Sequence, residues 1–417
     1  MKKSLKQQDP TVWKLIQAEA KRQQLGLELI PSENYVSSAI LEATGSILTN
    51  KYSEGYPRKR YYGGQKIIDQ VEELAQKRLL KLFKLNPKIW HANVQPYSGS
   101  PANMAVYVAL VPFGETIMGQ KLVEGGHLTH GHKVNFSGKA YNAVQYSLDP
   151  KTGRLNYNEI AKLAREHKPK LIIYGATAYP RKIDFKKFGE IAKSIGAIHF
   201  ADISHIAGLI VGGAHPSPFA YADVVMTTTH KTLRGPRSAV IMCRTQFASA
   251  IDKAVFPGLQ GGPHEHTIAA KAVCFQEAMQ PSFKKYAKQI VKNAKVLANE
   301  LRIMNYELVS GGTDNHLLLI NLTPKNITGD QAQTALDEVG ITVNKNTIPN
   351  EPRSPFDPSG IRLGTPAITT RGMKEKEMAL IARLMHEALA NMDSPKELKK
   401  FRQEVTQLAK RFPVPGI

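Results

Sequence analysis

The stretch TTTHKTLRGPR, Thr227–Arg237, follows directly on the largely apolar run Ala222–Met226. A short apolar, β-branched run bounded by turn residues reads as a buried strand. Lys231 then stands just past a strand end, where burying an ammonium is costly unless its amine is used. An amine can attack a carbonyl when it is positioned and its pKa is depressed by burial beside other cations. His230, Arg234 and Arg237 are the neighbouring groups that could do this. Taken alone, a lysine at a strand end is more often a solvated cap than a reactive amine, so its meaning depends on the rest of the chain.

Working outward, short apolar runs alternate with helical patterns from Ile67 onward: IIDQVEELAQKRLLKLF (67–83), ANVQP (92–96), PANMAVYVALV (101–111), PKLIIYGA (169–176), FGEIAKSIG (188–196), AIHFADIS (197–204) and ADVVMTTT (222–229). This alternation predicts an α/β domain with a mostly parallel sheet flanked by helices. Residues 11–24 read as an amphipathic helix, and the Gly- and Tyr-rich stretch from Pro31 to Gly64 suits an arm or site loop. From Pro281 the pattern becomes a long basic helix, FKKYAKQIVKNAKVLANELRIM (283–304), then YELVSGG, NHLLLINL, ITVNKNT and two further helical stretches. These predict a smaller α+β domain. The resulting division is an N-terminal helix and arm (1–35), a large domain (36–280) and a small C-terminal domain (281–417).

Other segments offer Lys231 possible companions. Asp202 and His205 close an apolar run, where ligands of open α/β sheets bind. If Lys231 carried pyridoxal phosphate as a Schiff base, Asp202 would keep the pyridine nitrogen protonated, although it also reads as an ordinary turn aspartate. Ser98, Gly99 and Ser100, with Pro101 as the first helical residue, would offer amides and hydroxyls to a phosphate, although SGS is also a common turn. In FPGLQGGP (256–263), Gly261 and Gly262 permit close approach to a phosphate. EGGHLTHGH (124–132) supplies His127, His130 and His132, any of which could cover a flat ring. Three close histidines also raise the question of a metal, but no Cys, Asp or Glu stands between them and the HExxH pair is missing, so no metal site is expected.

With 56 Lys+Arg against 35 Asp+Glu, the chain carries a formal net charge of +21, which suits phosphates, anionic substrates or RNA. Cys243 and Cys274 are its two cysteines, too few for a disulfide framework, so a reducing compartment is expected. The basic start, MKKSLKQQDP, has no apolar stretch behind it, and no apolar run approaches the roughly 20 residues of a membrane helix. The cytoplasm is the expected location, with no membrane partner.

LIPSENY (29–35), TNKYSEGYPRKRYYGG (49–64), QPYSGSPAN (95–103), GGHLTHG (125–131), NFSGKAYN (135–142), DISHIAGL (202–209), TTTHKTLRGPR, FPGLQGGPHEH (256–266), VSGGTDNHLLLINL (309–322) and the long run Ile341–Met373 stand in one order. In these motifs the chain resembles the serine hydroxymethyltransferases, fold-type I pyridoxal-phosphate enzymes, from about Leu27 to Pro415. The resemblance implies conversion of L-serine and tetrahydrofolate to glycine and 5,10-methylenetetrahydrofolate, with pyridoxal phosphate as cofactor.

By that resemblance Lys231 holds the cofactor, flanked by Thr228 and His230, while Asp202 pairs with the ring nitrogen. His127 stacks on the ring, His205 lies near its phenolic oxygen and near substrate, and Ser98, Gly99, Ser100 and Thr177 complete the cofactor set. Arg362, with Ser32, takes the substrate carboxylate, a task suited to a planar guanidinium. Gly261 and Gly262, and Tyr52, Glu54 and Tyr62 of the arm, reach a neighbouring subunit's site, implying a homodimer or a tetramer built from it. Glu54 is the expected general acid/base. Leu122, Gly126, His127, Leu128, Asn346, Ser354, Pro355 and Phe356 match the folate positions. The chain departs from the family pattern at Ser204 (alanine is usual), Thr177 (serine is usual), and Ser238 and Ala239, where smaller residues are common and added volume would alter packing.

Two other readings differ in class. A folate-independent threonine or β-hydroxy-amino-acid aldolase would share the lysine site, and the segment NKNTIPNEPRSPF (344–356) argues for folate instead. An RNA-binding protein on this fold is suggested by charge alone. No RRM, KH or basic-aromatic motif accompanies that charge, which by itself gives salt-sensitive, non-specific nucleic-acid binding.

Overall fold

The computed structural model describes residues 3–417. Its central sheet has seven strands: β1 (Trp90–Asn93), β2 (Thr116–Gln120), β3 (Asn142–Tyr146), β4 (Leu171–Tyr174), β5 (Ile198–Asp202), β6 (Val224–Thr228) and β7 (Ala239–Arg244). They lie in the order β1-β7-β6-β5-β4-β2-β3. Only β7 runs against the others, pairing antiparallel with both β1 and β6. The expected α/β architecture with a mostly parallel sheet is therefore present.

Successive strand residues point to opposite faces, and both faces are apolar, as a sheet covered by helices requires. Leu171, Ile173, Val224, Met226 and Ile241 pack on one side with Ala102, Val106 and Tyr107 of the helix Gly99–Leu110. Ile172, Tyr174, Val225, Val240 and Met242 pack on the other with residues of the helices Lys66–Leu82, Phe185–Ser194 and Glu265–Ala278. Because six strands share a direction, the segments following β1, β2, β4, β5 and β6 all emerge at one edge. This edge carries the candidate site.

The chain then enters the helix Pro281–Ile303 and a four-stranded antiparallel sheet: β8 (Glu307–Leu308), β9 (Leu317–Asn321), β10 (Asn344–Asn346) and β11 (Gly360–Gly364), in the order β8-β9-β11-β10. Its second core joins Leu318, Ile320, Ile361 and Leu363 to Leu336, Ile381, Met385 and Phe401. Leu27 and Leu29 belong to this core, and Leu27–Glu28 pairs in parallel with Ile341–Thr342. Among the described residues no helix is long and apolar enough to cross a membrane.

Candidate active site

Lys231 follows β6 by three residues and lies in the wall of a cavity of about 340 Å³. Burial holds its amine down to about 8, with Asp202 opposing the shift and Arg362 and Arg237 adding to it. Two neighbours expected to contribute do not. Burial holds the His230 ring down to about 3, so it carries no charge at neutral pH. Arg234 adopts a left-handed φ of 62° and lays its guanidinium 4.6 Å from the centre of the Tyr286 ring, away from the amine. Arg362, from β11 of the other sheet, provides the second cation instead.

Asp202, the last residue of β5, faces the same cavity. Its Oδ2 accepts from Asn103 Nδ2 at 3.0 Å and pairs with His130 Nε2 at 3.4 Å, and its Oδ1 accepts from the Ser204 amide at 3.1 Å. Burial alone would raise this carboxyl, but the His130 hydrogen bond and the nearby cationic groups outweigh it and hold it well below the usual carboxylate range. Asp202 is thus a buried carboxylate with its donors already in place.

The anion cradle differs in detail from its expected form. The helix begins at Gly99, so Pro101 is its third residue and not its first. Ser98 is the extended N-cap, and its side chain makes no capping hydrogen bond. The first backbone bond across this turn runs from Ala102 N to Ser98 O, leaving the amides of Gly99 and Ser100 to meet an anion. Ser98, Gly99 and Ser100 all line the cavity. A Cβ at Gly99 would lie 2.8 Å from Thr228 Cγ2, so only glycine lets the helix start this close to β6.

His127 also lines the cavity; its Nδ1 meets Thr129 Oγ1 at 2.7 Å and the Thr129 amide at 3.3 Å. Thr129 Oγ1 accepts from Asn103 Nδ2 at 2.8 Å, and Thr129 O accepts from Tyr107 Oη at 2.7 Å. Burial and His130 push the His127 ring down to about 4, so it is a neutral imidazole at neutral pH. Thus Asn103, Thr129 and His130 fasten both Asp202 and His127. Asn103 and Thr129 were not singled out in the sequence; Asn103 was legible as the residue one helical turn beyond Gly99, on the cradle's own face.

Thr177, His205, Thr228, His230 and Ser32 complete the expected residues in the cavity wall. Four buried polar atoms there lack a partner within the chain: Asn103 Oδ1, His205 Nε2, Thr228 Oγ1 and His230 Nδ1. Buried groups left this way call for a polar ligand. Arg362 stands behind the wall. It donates from Nη1 to the Thr177 carbonyl at 2.6 Å and from Nε to Asn344 Oδ1 at 3.0 Å, and burial lowers it to about 10.

Three of the four departures from the family pattern find hydrogen bonds or room. Ser204 Oγ accepts from Thr228 N at 3.0 Å, tying β6 to the Asp202 turn. Ser238 Oγ donates to Pro96 O at 2.9 Å and accepts from the buried Lys271 at 3.0 Å, while Ala239 is fully buried opposite Thr228. The added volume is accommodated by the strand.

Tyr52, Glu54, Tyr62, Gly261 and Gly262 do not line this chain's Lys231 cavity. They form a separate cluster: Tyr52 Oη donates to Glu54 Oε1 at 3.2 Å, Tyr62 packs edge-on against Tyr52 at 5.4 Å, and Gly262 lies against the Tyr52 ring. Tyr52 is 55% and Tyr62 49% exposed. Leu122 opens the short turn Leu122–Glu124, and Val123 O of that turn accepts from Thr347 Oγ1 at 2.9 Å, which draws the Asn346 strand beside it. Gly126 must be glycine, because a Cβ there would lie 2.2 Å from Gln120 O. Leu128 is 41% exposed, and Ser354, Pro355 and Phe356 stand on an open loop, with Phe356 83% exposed.

The residues present therefore suit a planar cofactor that is anionic at one end and reactive towards an amine: an amide cradle, a buried carboxylate, neutral imidazoles and a lysine of lowered pKa. The comparisons agree with this chemistry. A family model described as serine hydroxymethyltransferase matches residues 5–385. A protein of Desulfotalea psychrophila (strain LSv54 / DSM 12343) named serine hydroxymethyltransferase is 57% identical over 414 residues, covering 99% of this chain and 96% of that protein. With the lysine cavity at the edge of such a sheet and that match over nearly its whole length, the chain belongs to the serine hydroxymethyltransferase family.

Proposed function

We propose that the cavity around Lys231 is where this chain carries out its family's reaction, the reversible, pyridoxal-phosphate-dependent conversion of L-serine and tetrahydrofolate to glycine and 5,10-methylenetetrahydrofolate. The chain is a one-carbon transferase by family. The observation that carries the site assignment is that Lys231, Asp202 and the open amides of Gly99 and Ser100 converge on one cavity from three strand ends. When bound, pyridoxal phosphate supplies a carbonyl carbon for amines and a ring that draws electrons from bonds at the amino acid's α-carbon.

Lys231 is the amine that holds the cofactor; a pKa of about 8 leaves roughly a tenth of it as free base at pH 7, far more than an ordinary lysine offers. Asp202, kept ionised, would take the hydrogen bond of a protonated ring nitrogen. His127 would cover the ring as a neutral imidazole, and the Ser98–Ser100 turn would hold the phosphate. Thr228, His230, Thr177 and His205 would supply the remaining contacts through the hydroxyl and ring nitrogens in the wall. Arg362, braced on Thr177 and Asn344, would take the serine carboxylate with help from Ser32. Arg362→Lys keeps the charge but loses the fork and both braces. The serine KM should rise about 10- to 100-fold, the range for hydrogen bonds to charged groups, with the cofactor's absorbance unchanged; saturation by serine at parental concentrations would remove the assignment.

Folate would lie where the Leu122 turn, Gly126, Leu128 and Asn346 come together, with the Ser354–Phe356 loop above. Titrating purified protein with glycine and then tetrahydrofolate tests the reaction against the aldolase reading. A long-wavelength visible band that grows with folate supports the transferase, whereas no response to folate supports the aldolase.

The exposed Tyr52–Glu54–Tyr62 and Gly261–Gly262 cluster completes a second subunit's site, so the working unit is a homodimer. Two unpaired, buried thiols, Cys243 and Cys274, are consistent with work in the cytoplasm. Glu54→Gln keeps the arm's shape and should leave glycine binding intact while slowing serine-to-folate transfer about 10²-fold or more. Folate-independent cleavage of a bulky β-hydroxy amino acid should fall far less. Equal loss in both reactions would make Glu54 an anchor of the arm. Exchanging subunits between Glu54→Gln and Arg362→Ala proteins should restore one intact site per heterodimer; no recovery would refute the shared site.

A further inference from the structure

Behind the Lys231 cavity, three histidines from distant parts of the chain meet in the interior. His205 follows the Asp202 turn, His215 lies ten residues later, and His316 immediately precedes β9. His205 Nδ1 and His316 Nε2 are 3.2 Å apart, with their rings stacked at 5.4 Å between centres. His316 is wholly buried, and His205 and His215 nearly so. Each ring retains one buried nitrogen without a partner in the chain: His205 Nε2, His215 Nε2 and His316 Nδ1. His205 also lines the Lys231 cavity. A second, small cavity of about 10 Å³ lies among His205, His215, His316, Arg181, Asn315 and Tyr179. That is room for one water, and buried water settles where several polar groups converge.

We propose that His316 is a positioning residue for the reaction: it donates from Nε2 to His205 Nδ1, is itself held by a single buried water bridging to His215, and so presents His205 Nε2–H to the Lys231 cavity. The proposal rests on the reading that this cavity receives pyridoxal phosphate and an amino acid, both of which bring anionic oxygens.

The direction of donation follows from hydrogen-bond bookkeeping. Burial, foremost among other causes, keeps all three rings neutral, with His215 lowered to about 4, His316 to about 3 and His205 well below its ordinary value. Each ring therefore carries one proton. His215 Nδ1 lies 2.9 Å from the Pro216 carbonyl, which can only accept, so the proton of His215 is on Nδ1 and its Nε2 is a bare acceptor. A water between the rings must donate to His215 Nε2. Towards His316 Nδ1 that water can use either its second hydrogen or its oxygen, so the other end of the chain decides. The anionic oxygens brought into the Lys231 cavity can only accept, which puts the proton of His205 on Nε2, the proton of His316 on Nε2 towards His205 Nδ1, and the water's second hydrogen on His316 Nδ1. The other polar groups around the small cavity already have partners: Arg181 in Ser310 and Asp314, Asn315 in Tyr179 O, Thr313 and Leu317, the Tyr179 hydroxyl in the Leu155 amide, and Asp202 in Asn103, His130 and the Ser204 amide.

The relay also joins the two halves of the site. The backbone carbonyl of His316 accepts from Thr365 N at 3.0 Å, and β9 pairs Leu319 with Arg362 of β11. One short segment of the second sheet thus places the arginine proposed for the substrate carboxylate and, through His316, orients a ring in the cofactor cavity. Orienting a first ring through a second is a general means of fixing the tautomer of a histidine.

A crystal structure of the cofactor-loaded protein that shows ordered water, with ring tautomers read from 15N NMR of labelled histidines, tests the arrangement directly. The expected result is one water about 3 Å from both His316 Nδ1 and His215 Nε2, and a His205 protonated at Nε2. No water between those rings, or a His205 protonated at Nδ1, would overturn it. Neither readout depends on which lysine holds the cofactor, which peptide mapping decides separately. Among variants, His316→Phe should shift the cofactor's visible band in the same direction as His205→Phe and lower kcat about 10-fold with little change in KM. The double variant should go no further than His205→Phe alone. His316→Gln, whose amide can donate to His205 while its oxygen accepts from the water, should return the band towards its parental position. A parental spectrum and kcat in His316→Phe, or effects that add in the double variant, would show that His316 acts only as packing.

Discussion

Lys231→Ala is expected to lose serine cleavage by about 10³-fold or more, the scale of removing a positioned nucleophile and proton carrier, and to retain pyridoxal phosphate only weakly and without a covalent link. Borohydride reduction of the parent protein followed by peptide mapping should place the label on Lys231 alone, and a label on any other lysine would end the assignment. The unchanged protein provides a second measurement. Because Lys231 has a pKa of about 8, against 10.5 for an ordinary lysine, its cofactor-free form should react with pyridoxal phosphate at a rate that rises through pH 8. A rate still climbing towards pH 10 would mean that burial and the two arginines do not depress the amine as the geometry requires.

Asp202→Asn should cost about 10²–10³-fold in turnover, comparable with losing a preorganised electrostatic contact in a closed site. The change is nearly isosteric, so its effect is one of charge and of hydrogen-bond direction. The parent carboxylate accepts from Asn103, His130 and the Ser204 amide at once. An amide can offer an oxygen to one side only, and turns an N–H towards the donors on the other. Asp202 also raises the Lys231 pKa, so in Asp202→Asn the pH at which Lys231 becomes reactive should fall below the parental value. Acid stability should change as well. The Asp202 carboxyl is held below its unfolded value, so its contribution to stability is present above about pH 4 and is lost as the pH falls through the folded value. The variant should lack that part of the acid transition. Unaltered turnover together with an unaltered Lys231 pH profile would show that Asp202 does not face the reacting groups.

Much of the site could be read in one dimension because its signals are local. Apolar runs ending in turn residues mark β5 and β6, so the sequence alone puts Asp202 and Lys231 at strand ends. The serine-glycine-serine turn announced its helix, although the helix starts two residues earlier than proline chemistry suggested, because the missing side chain of Gly99 lets it approach Thr228. The ordered motifs carried the family and, through it, the cofactor and reaction.

What the chain's order alone does not contain is which distant groups share a dielectric. Arg234 is three residues from Lys231 yet turns away, since a left-handed backbone carries it onto Tyr286. Arg362, 131 positions along, takes its place through the braces on Thr177 and Asn344. His316 meets His205 across 111 residues because β9 and the Asp202 turn are packed together, and no periodicity or spacing encodes that contact. The arm and the Gly261–Gly262 loop are likewise gathered only by folding, into a cluster outside the chain's own cavity. Sequence determined the elements, the reactive groups and the family, because backbone propensity and turn chemistry act over a few residues. Tertiary structure decided which charges tune Lys231 and which rings orient one another, because desolvation and hydrogen bonding depend on distance in space.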